Sequence, residues 1–342
     1  MKALVKSAPK LDGVGIIDVE PREPGDGEVR IKVEVVSICG TDIHIINDRF
    51  ATDTPVILGH EYSGYIEKNG KNSRRFEVGQ RVVSLTAVSC GNCRYCKSGI
   101  PMLCNEKKSI GSGLNGAMTN YLVVPEKLVY KLPEFFSMDQ GALCEPLTCA
   151  VRAVVERSAL KAGDRALISG PGSIGLMILQ VAKICGAKVA VCGLERHGQR
   201  LELASELGAD VTMVNGKDSI REIADKFTSK NGFDVVYECS GVQDSLDLCL
   251  DLVRKGGAYS QIALFNQKPI FDFNKAMMKE VNIQTTIGTA PSTWYTMFRL
   301  YESGSINLEP LISARLPLSK WKEGYEMIMD KKALKILLYP EE

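Results

Sequence analysis

Between residues 165 and 263, short apolar runs of strand length alternate with longer segments whose apolar residues recur at helical spacing. Strands are predicted over 165–169, 188–192, 211–214, 234–238 and 258–263. Helices are predicted over 174–185, 200–207, 220–228 and 245–253, and residues 281–287 offer a further strand. Neighbouring parallel strands cannot be joined by a tight turn. Each needs a crossover, and a helix supplies it, so this alternation predicts βαβ units on a parallel sheet. The fold class is therefore α/β.

The turn after the first of these strands reads Gly170-Pro171-Gly172-Ser173-Ile174-Gly175. A GxGxxG between a strand and a helix is the dinucleotide fingerprint, and its strand–helix context is what gives it weight. The first glycine makes the tight turn, the second lets backbone approach a pyrophosphate, and the third lets helix and strand pack closely. Free N–H groups and the positive end of the helix dipole then face the phosphates. Past the second strand a carboxylate would bind a ribose 2′-OH, whereas an Arg would accommodate a 2′-phosphate. The sequence there is Gly193-Leu194-Glu195-Arg196, with Arg200 close behind. The expected strand end carries Gly193 rather than an acid. Glu195 two residues on favours NAD, and Arg196 and Arg200 keep NADP open.

At roughly 150 residues per domain, 342 residues leave room for a second domain. Residues 1 to about 85 read as short strands over 3–5, 29–37, 62–67 and 80–85 with Gly and Pro between them, and 121–124 and 128–132 read as two more, a β-rich, barrel-like pattern. The net charge of +1 gives no electrostatic reason to expect nucleic acid or an anionic membrane. No apolar run approaches the ~18 residues of a spanning helix. The first nine residues carry no signal-peptide core, and the expected location is the cytoplasm.

The chain has eleven cysteines and only three histidines, His44, His60 and His197. In a reducing compartment such cysteines serve as metal ligands or buried thiols. Cys90-x2-Cys93-x2-Cys96-x7-Cys104 gathers four thiolates on one short lobe, which suits a closed structural zinc site. A second, scattered pattern combines Cys39-Gly40-Thr41-Asp42-x-His44, Gly59-His60-Glu61-x2-Gly64 and Cys144-Glu145-Pro146. Cys, His and Glu are ligand types for a catalytic zinc, which keeps one position open. By spacing alone, a satisfied core histidine and a surface carboxylate fit His60 and Glu61 equally well.

Taken together, these motifs resemble the zinc-containing medium-chain dehydrogenases, the alcohol and polyol dehydrogenase family, over nearly the whole chain. The resemblance implies a GroES-like β-rich catalytic domain over 1–147, with a zinc lobe at about 88–106. A Rossmann doubly wound parallel-sheet domain would follow over 148–288, and residues 289–342 would return to the first domain. It implies two zinc ions per chain. Cys39, His60 and Glu61 would hold the catalytic one, with Glu145 binding the metal or its water. Cys90, Cys93, Cys96 and Cys104 would hold the structural one. Thr41 would hydrogen-bond the substrate hydroxyl, His44 would end a proton relay, and Asp42 would orient a ligand histidine. Gly170, Gly172, Ser173, Ile174, Gly175 and Glu195 would face the cofactor. A homodimer or homotetramer joined through the Rossmann sheet edge is implied as well.

For substrate, Glu145-Pro146-Leu147 and the stretch from Lys335 to Pro340 resemble sorbitol/iditol-type polyol dehydrogenases. Thr293-Trp294-Tyr295 and the stretch from Leu308 to Ile312 resemble L-threonine 3-dehydrogenases. No Arg lies between Gly288 and Tyr295, where polyol dehydrogenases carry one, and the segment just before Cys90, Thr86-Ala87-Val88-Ser89, lacks the His typical of threonine dehydrogenases. The favoured expectation is oxidation of a polyol to a ketone, with Phe50, Trp294 and Tyr295 as candidate pocket walls. The alternatives are L-threonine oxidation, a zinc-free reductase, and a non-catalytic cofactor-binding protein on the same fold.

Overall fold

A computed structural model describes residues 1–341. The chain forms two units, and the division does not follow the chain in two pieces. One unit comprises Met1–Pro146, Thr289–Pro291 and Leu308–Glu342. The other comprises Leu147–Gly288 and Ser292–Asn307.

The second unit is built on a six-stranded sheet in which every pairing is parallel. Its order is Val211–Asn215, Lys188–Leu194, Arg165–Ser169, Phe233–Glu238, Val253–Gln261, Asn282–Thr285. The chain starts at Arg165–Ser169, winds outward on one side, then crosses to Phe233–Glu238 and winds outward on the other. The order reverses between those two strands, and a crevice opens there at their carboxyl ends. Ala166 to Ser169 and Val189 to Gly193 are buried without alternation, because helices cover both faces of a parallel sheet. Leu167, Ala190, Val236, Leu246, Leu250 and Tyr259 are at the centre of this core.

The predicted strands and helices of this region all form, with ends displaced by a few residues. One displacement matters. The second strand runs on to Leu194 rather than stopping at residue 192, because Gly193 and Leu194 still pair with Val214 and Asn215. The expected return from residue 289 onward is also divided. Residues 292–307 go with the sheet unit, carried by the helix Pro291–Glu302. That helix buries Trp294 and Met297, and Thr293 donates a hydrogen bond to Glu156 at 2.6 Å. Gln180 pins the far end through Asn307 N–H at 2.6 Å.

The first unit centres on a seven-stranded sheet with the order Val129–Lys131, Arg81–Ser84, Glu61–Asn69, Glu28–Ser37, Lys335–Tyr339, Ile312–Pro317. The strand Tyr121–Pro125 pairs with the first half of Glu28–Ser37, and Lys335–Tyr339 pairs with its last residues. Buried Val29, Ile31, Val33 and Val35 alternate with less buried Arg30, Lys32 and Glu34, as expected where one face meets the core. A small sheet of Val14–Asp18, Lys2–Lys6 and Val56–Ile57 completes this unit with the cysteine lobe. Among the described residues no helix is long and apolar enough to cross a membrane.

Candidate active site

Three neighbouring strand ends of the first unit converge on one place. Ser37 closes its strand opposite Glu61, which opens the next, and opposite Leu337 on the other side, two residues beyond Lys335. Cys39 follows as the N-cap of the short helix Gly40–Ile46, and its Sγ accepts Thr41 N–H at 3.4 Å. Asp42, fully buried, ties the pieces together. Its Oδ2 accepts Cys39 N–H at 2.8 Å, its Oδ1 accepts Gly59 N–H at 3.2 Å, and Oδ1 lies 3.8 Å from His60 Nδ1. Gly59 reaches this position with φ of 89°, and a Cβ there would lie 2.6 Å from Met118 Cγ, so glycine is required immediately before the histidine.

The ligand atoms of Cys39, His60 and Glu61 all lie within 4.8 Å of one another. A thiol, an imidazole and a carboxylate in that space are the donor set of a catalytic zinc with an open position, so these residues fit the ion. The electrostatics agree. Burial alone would push the His60 imidazole down, but Cys39 and Asp42 beside it hold it well above its ordinary value. Burial, then the charge of Glu61, pushes the Cys39 thiol up. The raised imidazole shows that the neighbouring acidic groups, Asp42 among them, favour a positive charge at this place.

One cation is already there. Lys335 Nζ donates to both oxygens of Glu61, at 2.6 and 2.5 Å, and both side chains are almost completely buried, at 4% and 1% exposure. Sequence reasoning passed over this lysine as part of a tail resemblance. The available signal was a charge opening an otherwise apolar strand, Lys335-Ile336-Leu337-Leu338. Glu145, expected beside the metal, is buried in the first turn of the helix Cys144–Val151 and outside the 4.8 Å cluster. Its charge still contributes to raising both His60 and Lys335. Thr41 and His44 share the helix Gly40–Ile46 three residues apart, hence on one face. Burial, then the charges of Arg49 and Lys331, lowers the His44 pKa.

The lobe brings its four sulfurs together. Cys93 Sγ lies 3.5 Å from Cys96 Sγ, and Cys104 Sγ 3.6 Å from Cys90 Sγ. Two sulfurs on one tetrahedral zinc, each at about 2.3 Å, are roughly 3.8 Å apart, so the cluster fits the ion closely. The Cys96 amide and then the neighbouring thiols pull Cys93 down to about 6, which makes it a thiolate at neutral pH.

In the second unit the three glycines of the fingerprint do three different things. Gly170 has φ of 111°, and a Cβ on it would stand 3.0 Å from the Cys239 carbonyl carbon and from Ser240 N. A Cβ on Gly172 would meet nothing, which leaves the approach open for a ligand. One on Gly175 would lie 2.2 Å from Gly170 O. Ser173 and Ile174 open the helix, whose N-cap Gly172 offers no side chain to occupy its first N–H groups. Because the second strand extends to Leu194, exposed Glu195 is the first residue beyond it rather than a loop residue farther on. Arg196 is exposed beside it and Arg200 half-buried, its pKa lowered by burial.

Residues 25–134 match the alcohol dehydrogenase GroES-like domain, and residues 173–303 match the zinc-binding dehydrogenase domain. The chain is 36% identical to a D-arabitol-phosphate dehydrogenase of Enterococcus avium over 100% of this chain and 99% of that one. It is 35% identical to a sorbitol dehydrogenase of Halalkalibacterium halodurans over 99% of each, and 33% identical to an L-threonine 3-dehydrogenase of Bacillus velezensis over 99% of each. The chain belongs to the zinc-containing medium-chain dehydrogenase family. Among solved structures, galactitol-1-phosphate dehydrogenase from Escherichia coli superposes with a TM-score of 0.90 at 26% identity, covering 99% of this chain and 100% of that one.

This dehydrogenase therefore works with zinc and a nicotinamide dinucleotide. Its two units take the GroES-like and Rossmann architectures expected from sequence. The three aromatic residues singled out as pocket walls do not lie together in one unit. Trp294, 1% exposed, is core in the Rossmann unit against Phe298, and Tyr295, next to it on the same helix, faces out at 58%. Helical spacing turns the two side chains to different faces, one inward and one outward. Phe50 lies in the other unit, partly exposed.

Proposed function

We propose that this dehydrogenase oxidises a secondary hydroxyl of a sugar alcohol to a ketone, with NAD as hydride acceptor. The observation that carries the reading is the Cys39–His60–Glu61 cluster, its carboxylate buried and its thiol and imidazole half-buried, with Thr41 and His44 on the helix that starts beside it. The names of its polyol-oxidising relatives support the substrate class.

Cys39, His60 and Glu61 would hold the catalytic zinc, with Glu145 beside it. When bound, the ion supplies a Lewis acid that lowers the pKa of a hydroxyl. Asp42 holds the backbone at Cys39 and Gly59 so that both neighbouring donors keep their aim. Thr41 Oγ1 accepts the substrate hydroxyl proton and hands its own onward, and the His44 imidazole receives it on the solvent side. The alcohol thus loses a proton to this relay and a hydride to the nicotinamide.

A lowered His44 pKa keeps the imidazole neutral, and therefore able to accept, down to below its ordinary 6.5. We expect kcat/KM to hold level down to about pH 6.5 and to fall below it, as the imidazole protonates. In His44→Gln, kcat should fall about tenfold to a hundredfold, with the deficit shrinking as pH rises and hydroxide replaces the relay. A pH profile of the variant parallel to wild type would remove His44 from the relay.

Glu195 at the strand end supports NAD over NADP, since its carboxylate would receive a ribose 2′-OH and repel a 2′-phosphate. Assembly with a second copy is supported by the outer strand Asn282–Thr285. It leaves one edge of the sheet unpaired, and Ile283, Ile287, Met277 and Met278 are exposed in and near it. Ile283→Glu should convert the oligomer to a monomer in light scattering, and an unchanged mass would put the interface elsewhere. The four clustered cysteines suit zinc-bound thiolates rather than disulfides, which supports a reducing, cytoplasmic location.

A second reading, L-threonine oxidation, draws support from the stretches at Thr293 and Leu308 and from the relative at 33% identity. The deciding assay is nicotinamide reduction by zinc-loaded protein against sugar alcohols, their phosphates and L-threonine, with NAD and NADP in parallel. Turnover of a sugar alcohol or its phosphate with NAD carries the proposal. Turnover of L-threonine alone, or a strong NADP preference, overturns it.

A further inference from the structure

The crevice where the strand order reverses has two walls. The fingerprint turn after Arg165–Ser169 is one. The other is the turn that follows Phe233–Glu238, residues 239–241, which the cofactor motifs do not include. The two walls touch, because Gly170 packs directly on Cys239 and Ser240.

This second wall is folded around one carboxylate. Glu238, the last residue of its strand, is completely buried. Its Oε1 accepts Ser240 N–H at 2.9 Å, Ser240 Oγ–H at 2.6 Å and Gly241 N–H at 3.0 Å. Its Oε2 accepts Gly241 N–H at 3.1 Å and Gln261 Nε2–H at 2.7 Å. Gln261 closes the next strand, and its amide also donates to Ala263 O at 2.7 Å, while its Oε1 accepts Tyr259 O–H at 2.6 Å. One side chain thus joins the carboxyl ends of two strands and draws the amides of the turn inward. Gly241 is held at φ of 70°, where a Cβ would meet Leu264 O at 2.4 Å, so the turn has no room to fold another way.

An ordinary turn of this length is satisfied by a serine or asparagine. Burying a carboxylate instead is unfavourable unless every lone pair is met, and here the donors converge on it from both sides. We infer that Glu238 is a positioning residue for the cofactor: it shapes the wall facing the fingerprint turn, and so sets dinucleotide affinity without touching the reacting atoms. The chemistry it serves is that of a nicotinamide dinucleotide bound at the carboxyl ends of the sheet.

The test is a fluorescence titration with NADH, which needs no substrate and is independent of the sugar-alcohol reading. In Glu238→Ala the Ser240, Gly241 and Gln261 donors lose their acceptor, and Kd for NADH should rise about tenfold or more. Bound zinc should stay unchanged and kcat at saturating cofactor should stay within about twofold, since only the ground-state and transition-state binding common to both is lost. Glu238→Gln keeps an acceptor for the turn and should restore Kd to within about threefold of wild type. An unchanged Kd in the Ala variant, a Gln variant as weak as Ala, or a kcat that falls as far as affinity would each overturn the inference. If the Ala variant does not fold, Gln261→Leu removes the side-chain donor from Oε2, leaving only Gly241 N–H on that oxygen, and is titrated the same way. A severalfold weaker Kd supports the role, and an unchanged one removes it.

Discussion

Replacing His60 by Ala is expected to lower kcat at least about a thousandfold, roughly 4 kcal/mol of transition-state stabilisation, while NADH still binds within about twofold of wild type. The His60 imidazole belongs to the Cys39–His60–Glu61 cluster, and nothing else among the described residues offers a second imidazole to that cluster. His44 lies half-buried on the helix Gly40–Ile46 and is not part of the cluster. The dinucleotide fingerprint belongs to the other unit, on a sheet with its own core, so its fold does not depend on the histidine. Zinc analysis and an NADH titration on the same preparation check the division. The expected product retains the four-cysteine ion, loses the other, and keeps cofactor affinity. A folded variant that no longer binds NADH would mean that the metal cluster supports the cofactor site, and the separation of tasks between the two units would have to be abandoned.

Lys335→Met should lower folding stability by about 3–5 kcal/mol, because it strands the Glu61 carboxylate in the interior with its ammonium partner removed. The methionine fills nearly the same volume, so the loss reports charge rather than a cavity. Denaturant unfolding in the presence of a chelator is the measurement, and Lys335→Met/Glu61→Leu, which removes both charges, should recover most of the loss. Failure of the double variant to recover would assign the cost to packing. Added zinc should stabilise Lys335→Met more than wild type, since the freed carboxylate then has only the metal to pair with. The pH dependence has a defined sign. Burial alone would lower the Lys335 pKa, but Glu61 and then Cys39 hold it above its ordinary 10.5. A group whose folded-state pKa is raised contributes its stabilisation in full below the unfolded value and loses it as pH rises through the folded one. Wild type should therefore lose this contribution only above about pH 10.5, whereas Lys335→Met should lack it at neutral pH already.

The fold was legible because its signals are local. Apolar runs at 165–169 and 234–238, the glycines at 170, 172 and 175, and the hops between Cys90, Cys93, Cys96 and Cys104 each carry their meaning within a few residues. The metal cluster was half legible. Cys39 and His60 stand in spaced motifs, but what brings them within reach is strand register, Ser37 opposite Glu61, which pairing across the sheet determines. Lys335 was illegible for the same reason. It is 274 residues from Glu61 along the chain, and a single lysine at a strand start looks like any solvated charge until the strand is placed. Glu195 was misplaced by two residues because strand ends are set by ladder partners, here Val214 and Asn215, rather than by the apolar run. Glu238 was read only as a strand end, since nothing in its own segment reveals the amide of Gln261.

The strand Lys335–Tyr339 lies inside the first unit's sheet, between Glu28–Ser37 and Ile312–Pro317. During synthesis this imposes an order of assembly. When residue 288 has emerged from the ribosome, every strand of the Rossmann sheet exists, although its last helix does not. The first unit, whose opening residues were made much earlier, still lacks an interior strand and the Lys335 ammonium that pairs with Glu61. Its nascent sheet must wait with the last residues of Glu28–Ser37, Val36 and Ser37, unpaired on that side while more than half of the chain is translated. The part that begins the polypeptide is thus the part that finishes folding last, and the Cys39–His60–Glu61 cluster gains its buried ammonium only once Lys335 has taken its place.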